Sequence, residues 1–284
     1  MNRKLNWNRI AQAAVVLLVA LALKQFYSTA SANQLRWILA PTTLLVHLAS
    51  GESFQFEAYA GYITSDHGFV IAAACAGVNF LITSFVMLAL GKLWRDRSEA
   101  VSWSFIPKAA VVAFATTLLA NTVRIVIALQ LQRTPPDIDG LSSGELHRLE
   151  GILVYFGFLL LLFVASDRGN GKKTSRLFSL ALFPLLIYYA TTLGIPLANS
   201  AYRQRFNSGD FGEHFVFVLL TPLVLILPLV AFRFYKIRFG AKSTNPRSGQ
   251  LVAQLAQSLR PALHWDRGRP ARTERRRREQ VSFH

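Results

Sequence analysis

The chain alternates long apolar runs with short polar stretches from residue 10 to residue 234. The apolar runs cover residues 10–23, 35–50, 69–90, 105–131, 151–165, 177–198 and 215–234. A helix needs about 20 apolar residues to cross a bilayer core. No run shows the strict alternation of a transmembrane barrel strand, and backbone groups in lipid must be satisfied internally. The pattern therefore predicts an all-α fold, a polytopic membrane helical bundle with about seven (six to eight) transmembrane segments.

The first two predicted segments are borderline in length, and the second is interrupted by Pro41. They are followed by residues 51–66, a polar stretch with aromatic side chains and no Lys or Arg, which we interpret as an interfacial hairpin or loop. If both segments cross, the basic N-terminus lies outside, against the bias of Lys and Arg for the cytoplasm. We therefore favour a second segment that does not fully cross.

The placement of Lys and Arg predicts the orientation of the remaining segments. The loops 91–104 and 166–176 and the C-terminal tail are basic, which is typical of cytoplasmic loops. With this orientation, the stretches 51–66, 132–150 and 199–214 lie on the extracytoplasmic side of the membrane.

The net charge of +16 is concentrated at the C-terminus. From Arg233 onward, 13 of the 31 Lys and Arg residues stand against three acids. We predict a membrane domain over residues 1–240 and a basic, disordered cytoplasmic tail over 241–284 that is attracted to anionic lipid. No nucleic-acid partner is expected, because nothing accompanies the arginines at 275–278 that would read a base.

Residues 69–90 carry no charge, yet they contain the only cysteine of the chain, Cys75. Asn79 follows four residues later, and in a continuous helix the two side chains would share one face. A single cysteine forms no internal disulfide. Lone cysteines in apolar helices are usually small packing residues, so Cys75 by itself does not establish a nucleophile.

Two further polar residues are predicted at the same membrane depth as Cys75. Arg124 interrupts the fourth segment, with Asn121 on the same helical face, and His147 precedes the fifth segment at the outer surface. An intramembrane arginine is costly and is expected to face the bundle interior. The fourth segment offers no acid to pair with it. Arg124 is therefore a candidate to act on a thiolate or an oxyanion.

Cysteine, histidine and arginine together suit acyl transfer through a thioester. The thiolate attacks, a neighbouring cation lowers the pKa of the thiol, histidine moves the proton, and arginine stabilises the oxyanion. Each residue also has a structural reading: Arg124 as an interhelical donor, His147 as a solvated loop residue, and Asn79 and Asn121 as packing polar groups. No metal or other cofactor is predicted, because His47, His67 and His214 match no ligand spacing.

Three blocks of this sequence resemble the active-site blocks of the exosortase/archaeosortase superfamily. They are ACAGVNF around Cys75, LLANTVRIVIAL around Arg124 and LHRLEGILVYFGF around His147. Their order, spacing and membrane placement match, and the resemblance covers residues 61–165. The compact size favours one of the shorter branches, such as exosortase K.

The resemblance implies a membrane-embedded cysteine protease or transpeptidase of the bacterial inner membrane, with its active site toward the extracytoplasmic side. Cys75 would be the nucleophile, His147 the general acid and base, and Arg124 the oxyanion donor, with Asn79 and Asn121 in support. The implied substrates are exported proteins with a C-terminal motif, a membrane helix and a basic cluster (PEP-CTERM-like). The acceptor nucleophile is unspecified.

Two alternative functions remain open at this level. In a membrane transporter, Arg124 would bind an anionic substrate at mid-membrane, and Cys75 would be dispensable. In a non-catalytic envelope assembly protein, neither Cys75 nor His147 would matter while the tail would. The sequence shows no inverted repeat or paired broken helices to favour transport.

Overall fold

The computed structural model describes residues 7–96, 101–134, 142–168, 177–194, 216–228 and 230–231. Described residues form mostly helices, α1 (Trp7–Thr29), α2 (Arg36–Ser50), α3 (Val78–Arg95), α4 (Phe105–Arg133), α5 (Ser143–Arg168), α6 (Leu177–Tyr189) and α7 (Val216–Pro228). A short 3₁₀ turn, Ala73–Ala76, precedes α3, and a π-helical turn, Ala190–Gly194, follows α6. The predicted tail 241–284, its boundary and the loop 199–214 lie outside the described residues.

Four helical stretches of the described chain are long and apolar enough to cross a membrane: Trp7–Thr29, Ala73–Arg95, Phe105–Arg133 and Gly144–Ser166. α2 and the apolar stretches Leu182–Gly194 and Val216–Pro228 are shorter. Large apolar side chains on the outer surfaces are exposed, among them Leu18, Leu21, Val111, Leu119 and Leu161. Such a surface is typical of a protein whose exterior faces lipid.

α1 runs antiparallel to α3 and is hydrogen-bonded to the start of α3 and to Val101, which follows the end of α3. Gln12 Nε2 donates to the carbonyl of Val101 at 2.8 Å, while Lys24 Nζ donates to Asn79 Oδ1 at 2.7 Å. The start of α1 therefore lies at the same end of the bundle as the basic loop 91–104. α2 is a continuous helix through Pro41 and has only 15 residues. By length and apolar character, α1 can cross a bilayer core, whereas α2 is shorter than a full span.

The prediction of a purely α-helical chain is wrong in one region. Strands β1 (Phe54–Glu57), β2 (Gly61–Thr64) and β3 (Val70–Ile71) form an antiparallel sheet in the order β1-β2-β3. The stretch 51–66 is thus a β-hairpin, and β3 takes residues that the apolar pattern assigned to a helix. The sheet lies near the end of α4, where Gln132 Nε2 donates to the Gly68 carbonyl at 2.7 Å.

The turn between β2 and β3 is fixed by local hydrogen bonds. The Asp66 carboxylate accepts from the backbone N–H of Gly68 at 3.1 Å. The Thr64 hydroxyl and this N–H hold the pKa of Asp66 below its usual range. The following residue, His67, has a left-handed φ of 55°, as the tight reversal requires.

The predicted third and fifth segments also need correction. The third is divided by Gly77, and the helix proper begins only at Val78. The fifth begins eight residues earlier than predicted, at Ser143, because Ser142 and Glu145 form a capping box. His147 therefore lies in the first turns of α5 and not in a loop.

Candidate active site

A cavity of about 360 Å³ opens between the helices. Its walls come from α1, the 3₁₀ turn and the start of α3, α4, the start of α5, the end of α6 with the π-helical turn, and α7. The polar and aromatic side chains that line it include Lys24, Tyr27, Asn79, Arg124, His147, Arg148 and Tyr155. The volume lies within the range typical of small-ligand pockets.

Cys75 lies in the 3₁₀ turn between Ala74 and Gly77, two residues that line this cavity. Gly77, with a φ of +69°, ends the turn and starts α3. A Cβ at Gly77 would come within 3.2–3.3 Å of Asn121, Thr117 and Tyr155, so only glycine suits both the backbone and the space. The prediction that Cys75 and Asn79 share a face of one helix is wrong, because Gly77 changes the direction of the chain between them.

A chain of hydrogen bonds joins the three predicted blocks. Asn121 Nδ2 donates to the Cys75 carbonyl at 2.6 Å, and Tyr155 Oη donates to Asn121 Oδ1 at 2.8 Å. Arg124 Nη1 donates to Tyr155 Oη at 3.3 Å, and Arg124 Nη2 lies 3.1 Å from His147 Nε2. The structure thus places Cys75, Asn121, Arg124 and His147 in one connected network.

The contact between Arg124 and His147 defines the imidazole tautomer. A guanidinium only donates, so His147 Nε2 must accept, and the ring is neutral with its proton on Nδ1. Nδ1 faces Glu150, whose Oε2 lies 3.8 Å away. Glu150 is 8% exposed, and neither of its carboxylate oxygens has a hydrogen-bond partner within the described structure. His147 can therefore take a proton at Nε2 once Arg124 moves away.

Arg124 is held close to the backbone of α5. A Cβ at Gly151 would lie 3.1 Å from Arg124 Nε, so the absence of a side chain there makes room for the guanidinium. The cation also lies over the Tyr155 ring, with Cζ 5.5 Å from the ring centroid. The Arg124 Nε atom is buried and makes no hydrogen bond in the described structure.

The Cys75 thiol is half-buried and close to the network. Tyr27, Arg124 and Tyr155 lie within electrostatic range of it. Across the part of the chain that the structure describes, its sulfur makes no hydrogen bond. In ligand-free active sites, catalytic hydrogen bonds are often long and tighten only when substrate binds. The arrangement therefore supplies a cation near a thiol and a neutral imidazole in contact with that cation.

Asn79 is separate from the catalytic candidates. Its side-chain oxygen accepts from Lys24, and its backbone carbonyl accepts from the Thr83 hydroxyl at 2.8 Å. Of the two supporting residues predicted from the sequence, only Asn121 belongs to the hydrogen-bond network that joins Cys75, Tyr155 and Arg124. Asn79 lines the same cavity at a different point of its wall.

Sequence reasoning missed Tyr155, Glu150 and Lys24. Tyr155 follows His147 by eight residues and Gly151 by four, a spacing that places all three on one face of α5 once the helix is known to begin at Ser143. Lys24 was detectable as a charge inside an apolar helix that extends to Thr29. Glu150 lies three residues after His147, a spacing that places the two side chains on one face of α5 once the helix is known to begin at Ser143.

Within the described ranges, no group of three His, Cys, Asp or Glu side chains is placed to hold a metal ion. His47 Nδ1 lies 2.6 Å from the Glu52 carbonyl oxygen, away from the cavity. Comparisons with protein-family models, with curated protein sequences and with solved structures gave no match. Any proposal for the function therefore depends on the geometry of the cavity.

Replacing Tyr155 by Phe should lower the free energy of unfolding by about 1–3 kcal/mol, because the Asn121 oxygen is left buried without a donor. Stacking of the ring on Phe80, with centroids 5.0 Å apart, should persist. Thermal unfolding in detergent would measure the loss. Tyr189→Phe is the matched control, since its hydroxyl donates to the Leu219 carbonyl in an exposed setting. An equal loss in the free energy of unfolding for Tyr155→Phe and Tyr189→Phe would contradict a stabilising role of the hydrogen-bond network.

Proposed function

We propose that this protein is a membrane-embedded cysteine protease or transpeptidase of the exosortase type. It cleaves C-terminal sorting signals of exported proteins through a thioester. The observation that carries the proposal is the joining of three distant blocks at one cavity: Cys75 by its carbonyl, Arg124 by its guanidinium and His147 by its imidazole. The order of the blocks along the chain and the family resemblance given above support it.

In the proposed reaction, the Cys75 sulfur attacks the carbonyl carbon of the scissile peptide bond. Arg124 stabilises the negative oxygen of the tetrahedral intermediate. The C–N bond then breaks, and the leaving amine takes the proton that His147 received from the thiol. Water or an acceptor amine attacks the thioester, gives its proton to His147 and returns the Cys75 thiolate.

The arrangement in the ligand-free protein sets an order for these steps. Arg124 occupies His147 Nε2, so the imidazole is protected from protonation at that atom until substrate arrives. A carbonyl oxygen in the cavity would draw Arg124 from His147, freeing Nε2 to accept the thiol proton. Substrate binding and activation of the nucleophile are thereby coupled through one side chain.

We further propose seven helical membrane segments in the inner membrane of a bacterium, with the cavity opening toward the extracytoplasmic side. The joining of the α1 start to the loop 91–104 supports this orientation, because both carry Lys and Arg. α2, six residues after α1, would be a helix that does not fully cross the membrane.

Trapping the acyl-enzyme tests the function directly. The protein is co-expressed with an exported protein that ends in a short motif, an apolar helix and a basic cluster. We expect a faster-migrating product and an adduct on Cys75 that hydroxylamine releases, as a thioester requires. Failure to process or to form the adduct with a panel of such signals, in a correctly inserted protein, would contradict the proposal. A transporter or assembly protein would show neither species.

Replacing Gly151 by Ala should reduce processing by roughly tenfold, because the added methyl displaces Arg124 from its position beside α5. The effect is measured as the initial rate of product formation. Gly157→Ala on the same helix is the control, since its nearest neighbour would be Leu225 Cδ1 at 3.9 Å. Both changes raise helix propensity equally, so only the position of Arg124 distinguishes them. Equal processing rates of Gly151→Ala and Gly157→Ala would mean that the placement of Arg124 beside α5 is not critical for activity.

A further inference from the structure

Glu150 carries a buried carboxylate that the proposed reaction does not use. It is 8% exposed, and it is the one Asp, Glu, Lys or Arg among the fully buried side chains of the described residues. Both carboxylate oxygens are shielded from solvent and have no hydrogen-bond partner within the described ranges. A carboxylate held away from water without a partner is strongly destabilising. Its presence in a stretch of α5 that is apolar enough to cross a membrane therefore indicates a function.

Two groups that can carry positive charge lie next to this carboxylate. His147 precedes it by one helical turn, and His147 Nδ1 lies 3.8 Å from Glu150 Oε2. The guanidinium of Arg124, which comes from α4, interacts with Glu150 electrostatically. The distance to Nδ1 is about 1 Å longer than a typical N–H···O hydrogen bond. Rotation about the side-chain torsions of Glu150 can close a gap of this size.

A carboxylate that served only as the counter-ion of Arg124 would be bonded differently. Guanidinium and carboxylate groups characteristically pair through two parallel N–H···O hydrogen bonds. In the described structure, Arg124 Nε is buried without an acceptor, and both Glu150 oxygens are buried without a donor. Arg124 Nη1 and Nη2 contact Tyr155 and His147 instead. Glu150 is therefore near Arg124 without being bonded to it, and its oxygens are available to another donor.

The proposed reaction changes the positions of the charges around Glu150. In the ligand-free protein, Arg124 contacts Nε2 of a neutral His147. When Arg124 moves to the substrate oxyanion, Nε2 takes the proton of the Cys75 thiol and the ring becomes an imidazolium. A buried imidazolium requires a counter-ion. The Nδ1 proton of this ring already faces the Glu150 carboxylate. Total charge is conserved, because Arg124 then pairs with the oxyanion and His147 with Glu150.

We propose that Glu150 is a positioning residue that exchanges partners during the reaction, from the guanidinium of Arg124 to the imidazolium of His147. This inference rests on the proposed function. Glu150 accepts a hydrogen bond from Nδ1–H but does not take that proton. The proton received from the thiol stays on Nε2, where the leaving amine can take it. The carboxylate thereby holds the imidazole in the orientation and charge state that the proton transfer needs.

The charge state of His147 tests this exchange without any substrate. Full-length protein with ¹⁵N-labelled histidine is placed in phosphatidylcholine nanodiscs at neutral pH, and the imidazole nitrogens are observed by NMR. His147→Gln assigns the signals. In the wild type we expect a neutral ring with its proton on Nδ1. Arg124→Gln imitates the departure of the guanidinium and should give an imidazolium. Adding Glu150→Gln to Arg124→Gln should return the ring to the neutral form.

Two results of the NMR measurement would overturn the proposal. One is a ring that stays neutral in Arg124→Gln, and the other is an imidazolium that persists after the carboxylate is removed as well. Glu150→Leu provides a second neutral variant if Glu150→Gln does not fold. An apolar residue of similar size in place of a buried charge is often at least as stable as the original.

Processing kinetics give an independent measurement. Glu150→Gln keeps the size of the side chain but removes its charge, so we expect kcat to fall by roughly 10–100-fold. KM should not change, because Glu150 acts on the imidazolium and not on the substrate. Glu150→Asp keeps the charge and should recover part of the rate. Glu145→Gln is the matched control on α5, since glutamine preserves the capping box with Ser142, and it should process substrate at the wild-type rate.

The two measurements separate this inference from the function on which it rests. The expected NMR result in a protein that processes no substrate would contradict the proposed function alone. Processing by the wild type together with an undiminished kcat of Glu150→Gln would contradict the role of Glu150 alone. A loss of activity that follows a rise in KM or a loss of thermal stability would indicate a structural residue, and it would also overturn the proposal.

Discussion

Replacing Cys75 by Ala should abolish processing of a co-expressed substrate, with a loss of at least about 10³-fold, because no other side chain of the chain carries a thiol. The fold should be retained. The hydrogen bond from Asn121 reaches the backbone carbonyl of residue 75, which alanine keeps. Gel mobility of the substrate measures processing, and thermal unfolding of the purified variant should change by no more than about 1 kcal/mol.

Cys75→Ser is the informative companion to the alanine variant. It preserves the size of the side chain but replaces a thiol by a hydroxyl whose proton is far harder to remove, so it should be nearly as inactive. Full processing by either variant would show that Cys75 is not the nucleophile. It would then favour a transporter or a non-catalytic assembly protein. Loss of both activity and folding would instead indicate a packing residue.

Replacing Arg124 by Lys should reduce processing by roughly 10²–10³-fold, although the charge is conserved. The planar guanidinium of Arg124 contacts Tyr155 and His147 through different nitrogens at the same time. An ammonium donates from a single nitrogen, so it cannot contact Tyr155 and His147 with the geometry of two separate guanidinium nitrogens. The substrate concentration dependence should show the loss mainly in kcat, because the oxyanion exists only in the transition state.

Arg133→Lys is the matched control on the same helix. Arg133 lies at the exposed end of α4 and forms an ion pair with Glu52, an interaction that a lysine can keep. We expect this variant to process substrate at the wild-type rate. Near wild-type activity of Arg124→Lys would show that a positive charge alone suffices and would remove the proposed oxyanion role.

Part of the candidate site could be predicted from the sequence, because its polar residues stand out in otherwise apolar segments. A cysteine, an arginine and a histidine in or beside long apolar segments are conspicuous, and their polar character in lipid suggests an interior position. Asn121 was readable because its spacing from Arg124 is one helical turn. The hairpin before Cys75 was signalled by a polar, aromatic stretch between apolar runs.

One prediction failed because local apolar character was mistaken for helix. Residues 69–90 read as one helix, but strand β3 and the 3₁₀ turn occupy its beginning. A run of apolar residues does not by itself distinguish a buried strand from a helix. Gly77 was the local signal: its left-handed conformation, packed against Asn121, separates Cys75 from Asn79.

The sequence by itself determined the broad class of the molecule, since long apolar runs in lipid leave helices as the principal solution. It also determined which side chains are chemically capable. Only the tertiary structure decided their partners. Tyr155 came to link Asn121 with Arg124, Arg124 came to contact His147, and Asn79 came to bind Lys24. Such pairings depend on how helices distant in sequence rotate and pack, which no local pattern encodes.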